Sequence, residues 1–354
     1  MKFSGFAVAS LFSVIGIASA ISAASADIRQ PVAQDGSYSV LSTSKVGEDG
    51  GFDYVNCDPK ERKLYVARRG KTPHVAVYDL DSLQHVGEIP NTGAHGAVID
   101  EKYGHGFCSS GPVTMFDTKT LAIIKTIDVQ GSPDGMLSDP FNHRIYVLSH
   151  GAPNITVIDA KDGAVLGTID LGGAPEQAAT DGAGHIYVDI EDKASVAIID
   201  AKAMKVSNNF DLAGKGAGNA GLALDAKNHV LFVACRNPQV MVMLDAKDGK
   251  FLASLPIGRG CDGVVFDPSA HRAFSSQGDG TLTVIKESSP TSFIVDQTVQ
   301  TMPGAKTCTL DPKTGKILLI AAEYGPAPEG AATSGRPRRG PMLSGSFSII
   351  AVGK

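Results

Sequence analysis

One register of this 354-residue sequence repeats residues that do chemistry. Counting five residues back from Asp58, Asp100, Asp139, Asp181, Asp225, Asp267 and Asp311 reaches Asp53, His95, Asp134, Glu176, Ala220, Asp262 and Lys306. Six of these seven are ionisable in a chain that is only 19% charged. Asn219, one position before Ala220, is a polar residue that can take its place. Gathered about one axis, these residues would bring four carboxylates and an imidazole together. Oxygen-rich sets suit Ca²⁺ or Mg²⁺, whereas His95 or His150 beside carboxylates such as Asp134, Glu176 and Asp262 admits Zn²⁺ or another transition metal. Crowded carboxylates also raise one another's pKa, which is how a general acid or base is made. Lys306 and nearby arginines would hold an anionic group. The same residues equally suit a solvated channel mouth, where turns favour Asp and Asn for local backbone hydrogen bonds.

The elements that must position these side chains follow from the spacing of the aspartates themselves. Their gaps are 42, 39, 42, 44, 42 and 44 residues, and four are followed by proline, as suits a strand end. After each comes an alternating run, as in Lys63-Leu-Tyr-Val-Ala67, Arg144-Ile-Tyr-Val-Leu148 and His185-Ile-Tyr-Val-Asp189. A third run ends in Asp, as in Val75-Ala-Val-Tyr-Asp79 and Ile155-Thr-Val-Ile-Asp159, and a fourth follows a Lys/Asp/Gly turn. Four short antiparallel strands in each of seven units is the period of a β-propeller, and no unit holds a helical period. The last unit has three strands, ending in Ser346-Phe-Ser-Ile-Ile-Ala-Val352, while Ser37-Tyr-Ser-Val-Leu-Ser42 precedes the first unit as a spare fourth. The expected fold is therefore all-β: a seven-bladed propeller whose N-terminal strand completes the last blade and hides the free edges.

In that fold the loops between second and third strands open on the same face as the repeated ionisable register. They add Arg68, Arg69, His150, Asp192, Arg236, Asn237, Gln277 and Glu323 to the candidate funnel. Between Tyr324 and Ser344 the last unit carries a Pro/Gly-rich loop, residues 325–343, with Arg336, Arg338 and Arg339. Such a loop is either a tolerated surface insertion or a lid or docking arm for an acidic partner.

The repeats resemble those of a known family. Tyr65-Val66, Tyr146-Val147 and Tyr187-Val188, with Gly131-Ser-Pro-Asp-Gly135 and Gly173-Ala-Pro-Glu176, are similar to the Tyr-Val-Thr-Asn repeats and blade-opening turns of the YVTN β-propellers, which include exported YncE-like bacterial proteins. The resemblance spans roughly residues 37–352, although no unit shows a complete Tyr-Val-Thr-Asn and units two, six and seven lack the Tyr. It implies the propeller fold and export, and it leaves function open, because one fold serves many activities.

Export is also read directly from the residues. Lys2, an apolar stretch from Phe6 to Ala18 and small residues at Ala24 and Ala26 form a Sec-type signal peptide over residues 1–26. A linker over 27–36 and the propeller over 37–354 follow. The expected location is the periplasm or the medium. Nothing later reaches the ~18 apolar residues of a membrane span. The net charge of −5 lacks the basic stripe that nucleic acid requires. Five cysteines, Cys57, Cys108, Cys235, Cys261 and Cys308, show no metal or redox spacing; a Cys235–Cys261 disulfide and two separate thiols both remain open. Gly216–Gly221 matches G-x-G-x-x-G, yet it opens a strand rather than a helix, so a dinucleotide site is not expected. Asn154-Ile-Thr156 is a glycosylation sequon by letter but lies where a strand begins.

Three functions fit these features. The leading one is an exported monomeric scaffold that binds a small molecule or protein at its funnel face through Asp53, His95, Asp134, Glu176, Asn219, Asp262, Lys306, Arg68, His150 and Arg236. The second is a metal-assisted lactone hydrolase or lyase using Asp134, Glu176, Asp262 and His95. The third is a structural protein of the cell surface.

Overall fold

A computed structural model describes residues 1–2, 36–152, 154–212, 214–327 and 340–354. The chain divides into Met1–Asp35 and Gly36–Lys354. All but the first two residues of the expected signal peptide, and nearly all of the linker, lie outside the described residues. The second unit is a seven-bladed β-propeller, with seven four-stranded antiparallel sheets. Blades one to six each take four consecutive strands, over 51–90, 97–127, 133–169, 175–211, 217–256 and 261–300. Blade seven is built from Cys308–Asp311, Lys316–Ala321 and Ser348–Gly353, with Ser39–Lys45 as its outermost strand. The closing pair is antiparallel and runs from Ser39 opposite Gly353 to Lys45 opposite Ser348. The expected closure is present, placed two or three residues further along the N-terminal segment.

Burial explains the strand patterns. Middle strands such as Lys63–Arg69 and Arg144–Ser149 are continuously apolar at their centres because neighbouring blades cover both of their faces. Outer strands such as Ser292–Gln300 alternate, since one face meets solvent. The core is accordingly divided among seven apolar clusters, each shared by two adjacent blades. Tyr65, Val75 and Ile89 of blade one meet Ala97, Cys108 and Phe116 of blade two, and Leu318, Ile320 and Ile349 of blade seven meet Leu64 and Tyr78 of blade one.

The repeated aspartates have a structural duty of their own. Asp58 Oδ1 accepts the amides of Lys60 and Glu61, and Asp267 Oδ1 accepts that of Ser269, closing the turn after the inner strand. Several also tie blades together. Asp311 receives both Nη atoms of Arg62 at 2.8 Å, Asp100 meets His143 Nδ1 at 3.0 Å and Asp139 accepts from Thr180 Oγ1 at 2.8 Å.

The innermost strands pack side by side around the axis, and that of blade seven returns to that of blade one. Five of them slip register near their start: between Phe52 and Val55, Pro133 and Met136, Pro175 and Ala178, Asn219 and Gly221, and Cys261 and Gly263. Such bulges bend a strand and re-aim its side chains. Glycine permits the close approach at the axis. A Cβ on Gly135 would lie 2.8 Å from the backbone oxygen of Glu176 in the next blade. All five cysteines are free thiols. Asn154 is buried, with its amide donating to the Ser149 carbonyl and accepting from Leu171 N, so the sequon asparagine is already engaged.

Candidate functional site: the funnel mouth

The register slips deliver the side chains. Asp53, Asp134, Glu176 and Asp262 all sit within the bulged stretches, whereas His95 and Lys306 stand two residues ahead of the inner strands Ala97–Asp100 and Cys308–Asp311. The result is a chain of contacts that passes from blade to blade. His95 Nδ1 lies 2.8 Å from both Asp53 Oδ2 and Asp134 Oδ1. Asp134 Oδ2 faces His150 Nε2 at 3.5 Å, and that nitrogen stands 3.7 Å from Glu176 Oε1. On the other side, Asp262 is gripped by Arg236 and Lys306. Lys306 also lies 3.9 Å from Asp53, which Arg69 approaches at 3.3 Å.

The mouth is therefore polarised. One arc, over blades one to four, is rich in carboxylate and imidazole; the other, over blades five to seven, presents Arg236 and Lys306 around Asp262. Burial disfavours a charged His95, but the hydrogen bonds of Asp134 and Asp53 outweigh it and raise its pKa to about 9. Burial works to raise Asp134 in turn, and His95 overcomes it, holding that carboxyl below its ordinary value. Glu176 behaves oppositely. Burial, then the charges of Asp262 and Glu191, push it up to about 9. Two neighbouring acids of the mouth are thus pushed in opposite directions.

Several sequence-derived candidates lie elsewhere or act differently. Arg68 is buried away from the ring, with its guanidinium 3.6 Å over the Phe347 ring and Nε donating to Glu48 at 3.1 Å. Asn219 does not substitute for Ala220 in the ring: it is fully buried, with Nδ2 donating to the Ser195 carbonyl. Gln277 is buried and accepts from Thr281 and Thr283, Asp192 accepts the Ala174 amide, and Glu323 pairs with Lys45. Asp262, expected beside Asp134 and Glu176 as a metal ligand, has both oxygens occupied by cations. His150, expected on the funnel as an alternative to His95 for bringing an imidazole beside the carboxylates, is the one that joins Asp134 to Glu176.

The structure also adds residues that the register count passes over. Tyr54 follows Asp53 in the same bulge, and burial raises its phenol far above the ordinary value, helped by the field of Asp134, Asp262, Glu176 and Asp53. Gln177 crosses beneath the mouth, accepting from the amides of Leu222 and Val264 and donating to the Asp262 carbonyl, which binds blades four, five and six together. Asp189 is fully buried behind the blade-four bulge and accepts the Gln177 amide at 2.6 Å; burial lifts its pKa to about 8. Glu191 pairs with Arg236 at 2.5 Å. Of these, only Asp189 left a signal: an acid follows Tyr-Val where blades one and three have Ala67 and Leu148. Below the mouth an axial cavity of about 380 Å³ is lined by Tyr54, Gly96, Gly135, Glu176, Gln177 and Val264, among others.

No protein-family model matches the chain, and no curated protein matches it either. Among solved structures it is similar to a chain from the crystal structure of the mitotic checkpoint complex. The TM-score is 0.69 at 12% identity, over 87% of this chain and 96% of the other. As many as 1657 chains of solved structures match, so the likeness defines the seven-bladed propeller class and leaves the function to the site.

Proposed function

We propose that this chain is an exported propeller of the YVTN, YncE-like kind that binds a small dipolar molecule at its funnel mouth. The observation that carries this reading is the unbroken run of contacts Arg236–Asp262–Lys306–Asp53–His95–Asp134–His150–Glu176, to which all seven blades contribute. A ligand with an ammonium or other cationic end would meet Asp134 and Glu176, and its anionic end would meet Lys306 and Arg236. The axial cavity beneath leaves room for an apolar portion. Calorimetric titration of the metal-free mature chain with amino acids, short peptides and sugar acids tests the reading. Binding of one class, weakened by Lys306→Ala and by Asp134→Asn, supports it; no heat from any of the three overturns it. A second reading, an acid-catalysed hydrolase or lyase, is favoured by Glu176, whose pKa is raised by burial in the direction that a general acid requires. Turnover of a lactone panel that is lost in Glu176→Gln would establish it.

A further inference from the structure

The two imidazoles of the mouth differ in how they meet their carboxylates. His95 Nδ1 stands at 2.8 Å from each oxygen it faces, which is hydrogen-bond spacing. His150 Nε2 stands at 3.5 and 3.7 Å from Asp134 Oδ2 and Glu176 Oε1, beyond a good hydrogen bond. Ligands about 2.0–2.1 Å from a tetrahedral zinc ion are separated from one another by about 3.4 Å. The His150 spacings are close to that edge length. The donor atoms of Asp134, His150 and Glu176 all lie within 4.8 Å of one another.

The setting of Glu176 is a second observation that points to a ligand. Its residue is 9% exposed, and its carboxyl faces the His150 imidazole at 3.7 Å, too far for a good hydrogen bond. A buried carboxylate held so loosely is stabilised when a cation meets it. Asp134 is well prepared as its companion. Its Oδ1 is held by His95, which is oriented in turn by Asp53, leaving Oδ2 toward His150. Outer partners of this kind fix the direction and raise the hold of a ligating carboxylate. The His150 side chain is 43% exposed, so the remaining coordination position opens toward the funnel and solvent.

We infer that Asp134, His150 and Glu176 form a three-ligand site for a zinc-class divalent ion, with His95 and Asp53 as its outer shell and a fourth position open to the funnel. Mixed N/O donors select such an ion over Ca²⁺ and Mg²⁺, which take oxygen alone in larger numbers. The inference rests on the funnel being the binding face and names an ion as one of its ligands.

The test is calorimetric titration of the chelator-treated mature chain with ZnCl₂, and with MgCl₂ and CaCl₂ alongside, in the absence of any organic ligand. One equivalent of Zn²⁺ is expected, with no comparable heat from the other two. His150→Ala and Glu176→Gln should each lose binding by more than the ~10–100-fold expected for the outer-shell variant His95→Ala. His150 lies in an exposed loop, so its variant should fold, and circular dichroism melts of all three variants check this. Zinc binding that is absent from the wild type, or unchanged in His150→Ala, overturns the site. Because this titration contains no organic ligand, its failure leaves the dipolar-ligand reading standing, and failure of that reading leaves the zinc result intact.

Discussion

Single residues in this propeller are set by what surrounds them more than by their type. Glu176 and Asp134 are both carboxyls at the same register, yet one is raised to about 9 and the other lowered. The difference is that Asp134 has His95 against it, while Glu176 has burial and the negative charge of Asp262 and Glu191. A similar pair occurs outside the mouth. Glu287 of blade six is buried beside Asp225 of blade five, with Asn228 Nδ2 donating to it at 2.7 Å. Burial, offset in part by Asn228 and reinforced by Asp225, raises its pKa to about 7 from an ordinary 4.5. An acid raised on folding binds its proton more tightly in the native state. The stability linked to it is complete below pH ~4.5 and is lost as pH rises through ~7. Glu287→Gln keeps the acceptor for Asn228 and supplies a permanent donor toward Asp225. Thermal melts of this variant should vary less between pH ~4.5 and ~8 than the wild type and lie above it at the upper end. Parallel profiles would show that Glu287 is already ionised when folded.

At the level of elements, the bulge at the start of the inner strand is the device that makes the mouth. A regular strand turns alternate side chains to opposite faces; the slip places Asp53, Asp134, Glu176 and Asp262 at the funnel while the residues after them rejoin the sheet. Glycines beside the bulges let the blades close on the axis. Gly135→Ala would set a methyl 2.8 Å from the backbone oxygen of Glu176, where only backbone movement can relieve it. We expect a loss of roughly 1–3 kcal/mol in a denaturant titration, as for other overpacked interiors. The same variant should weaken Zn²⁺ binding, because the shift separates Asp134 from Glu176. Unchanged stability would mean that blades three and four tolerate more separation than their contact indicates.

For the molecule as a whole, stability depends on closing a ring whose core is divided into seven interfaces. The joint between blades seven and one is held by three features: the pairing of Ser39–Lys45 with Ser348–Gly353, the shared apolar cluster, and Arg62 on Asp311. Burial tends to raise Asp311, but the hydrogen bonds of Arg62 dominate and lower it to about 2, the mark of a firm pair. A chain starting at Val46 would lack the outermost strand of blade seven and leave Ser348–Gly353 as an open edge. Its melting temperature should fall below that of the full propeller, and light scattering should show association that grows with concentration. A monomer of unchanged melting temperature would show that blade seven is complete with three strands.

Repetition made the architecture readable without coordinates. Seven evenly spaced aspartates, four apolar runs in each unit and a spare strand at the N-terminus specify blade number, strand count and the manner of closure, because each depends on local hydrophobic periodicity and chain order. The repeat also locates the mouth, since equivalent residues of equivalent units must surround the axis. It does not reveal which neighbours touch. Arg68 and Asn219 have the right register for the funnel, but a ring to stack on and a backbone carbonyl to meet draw them into the interior. Asp262 has the right type for a metal ligand, but its partners Arg236 and Lys306 come from a strand end 26 residues before it and a loop 44 after it. Proximity across blades is set by strand stagger and loop course rather than by the repeat. Only the tertiary structure could therefore place His150 between Asp134 and Glu176, or hide Asp189 behind them.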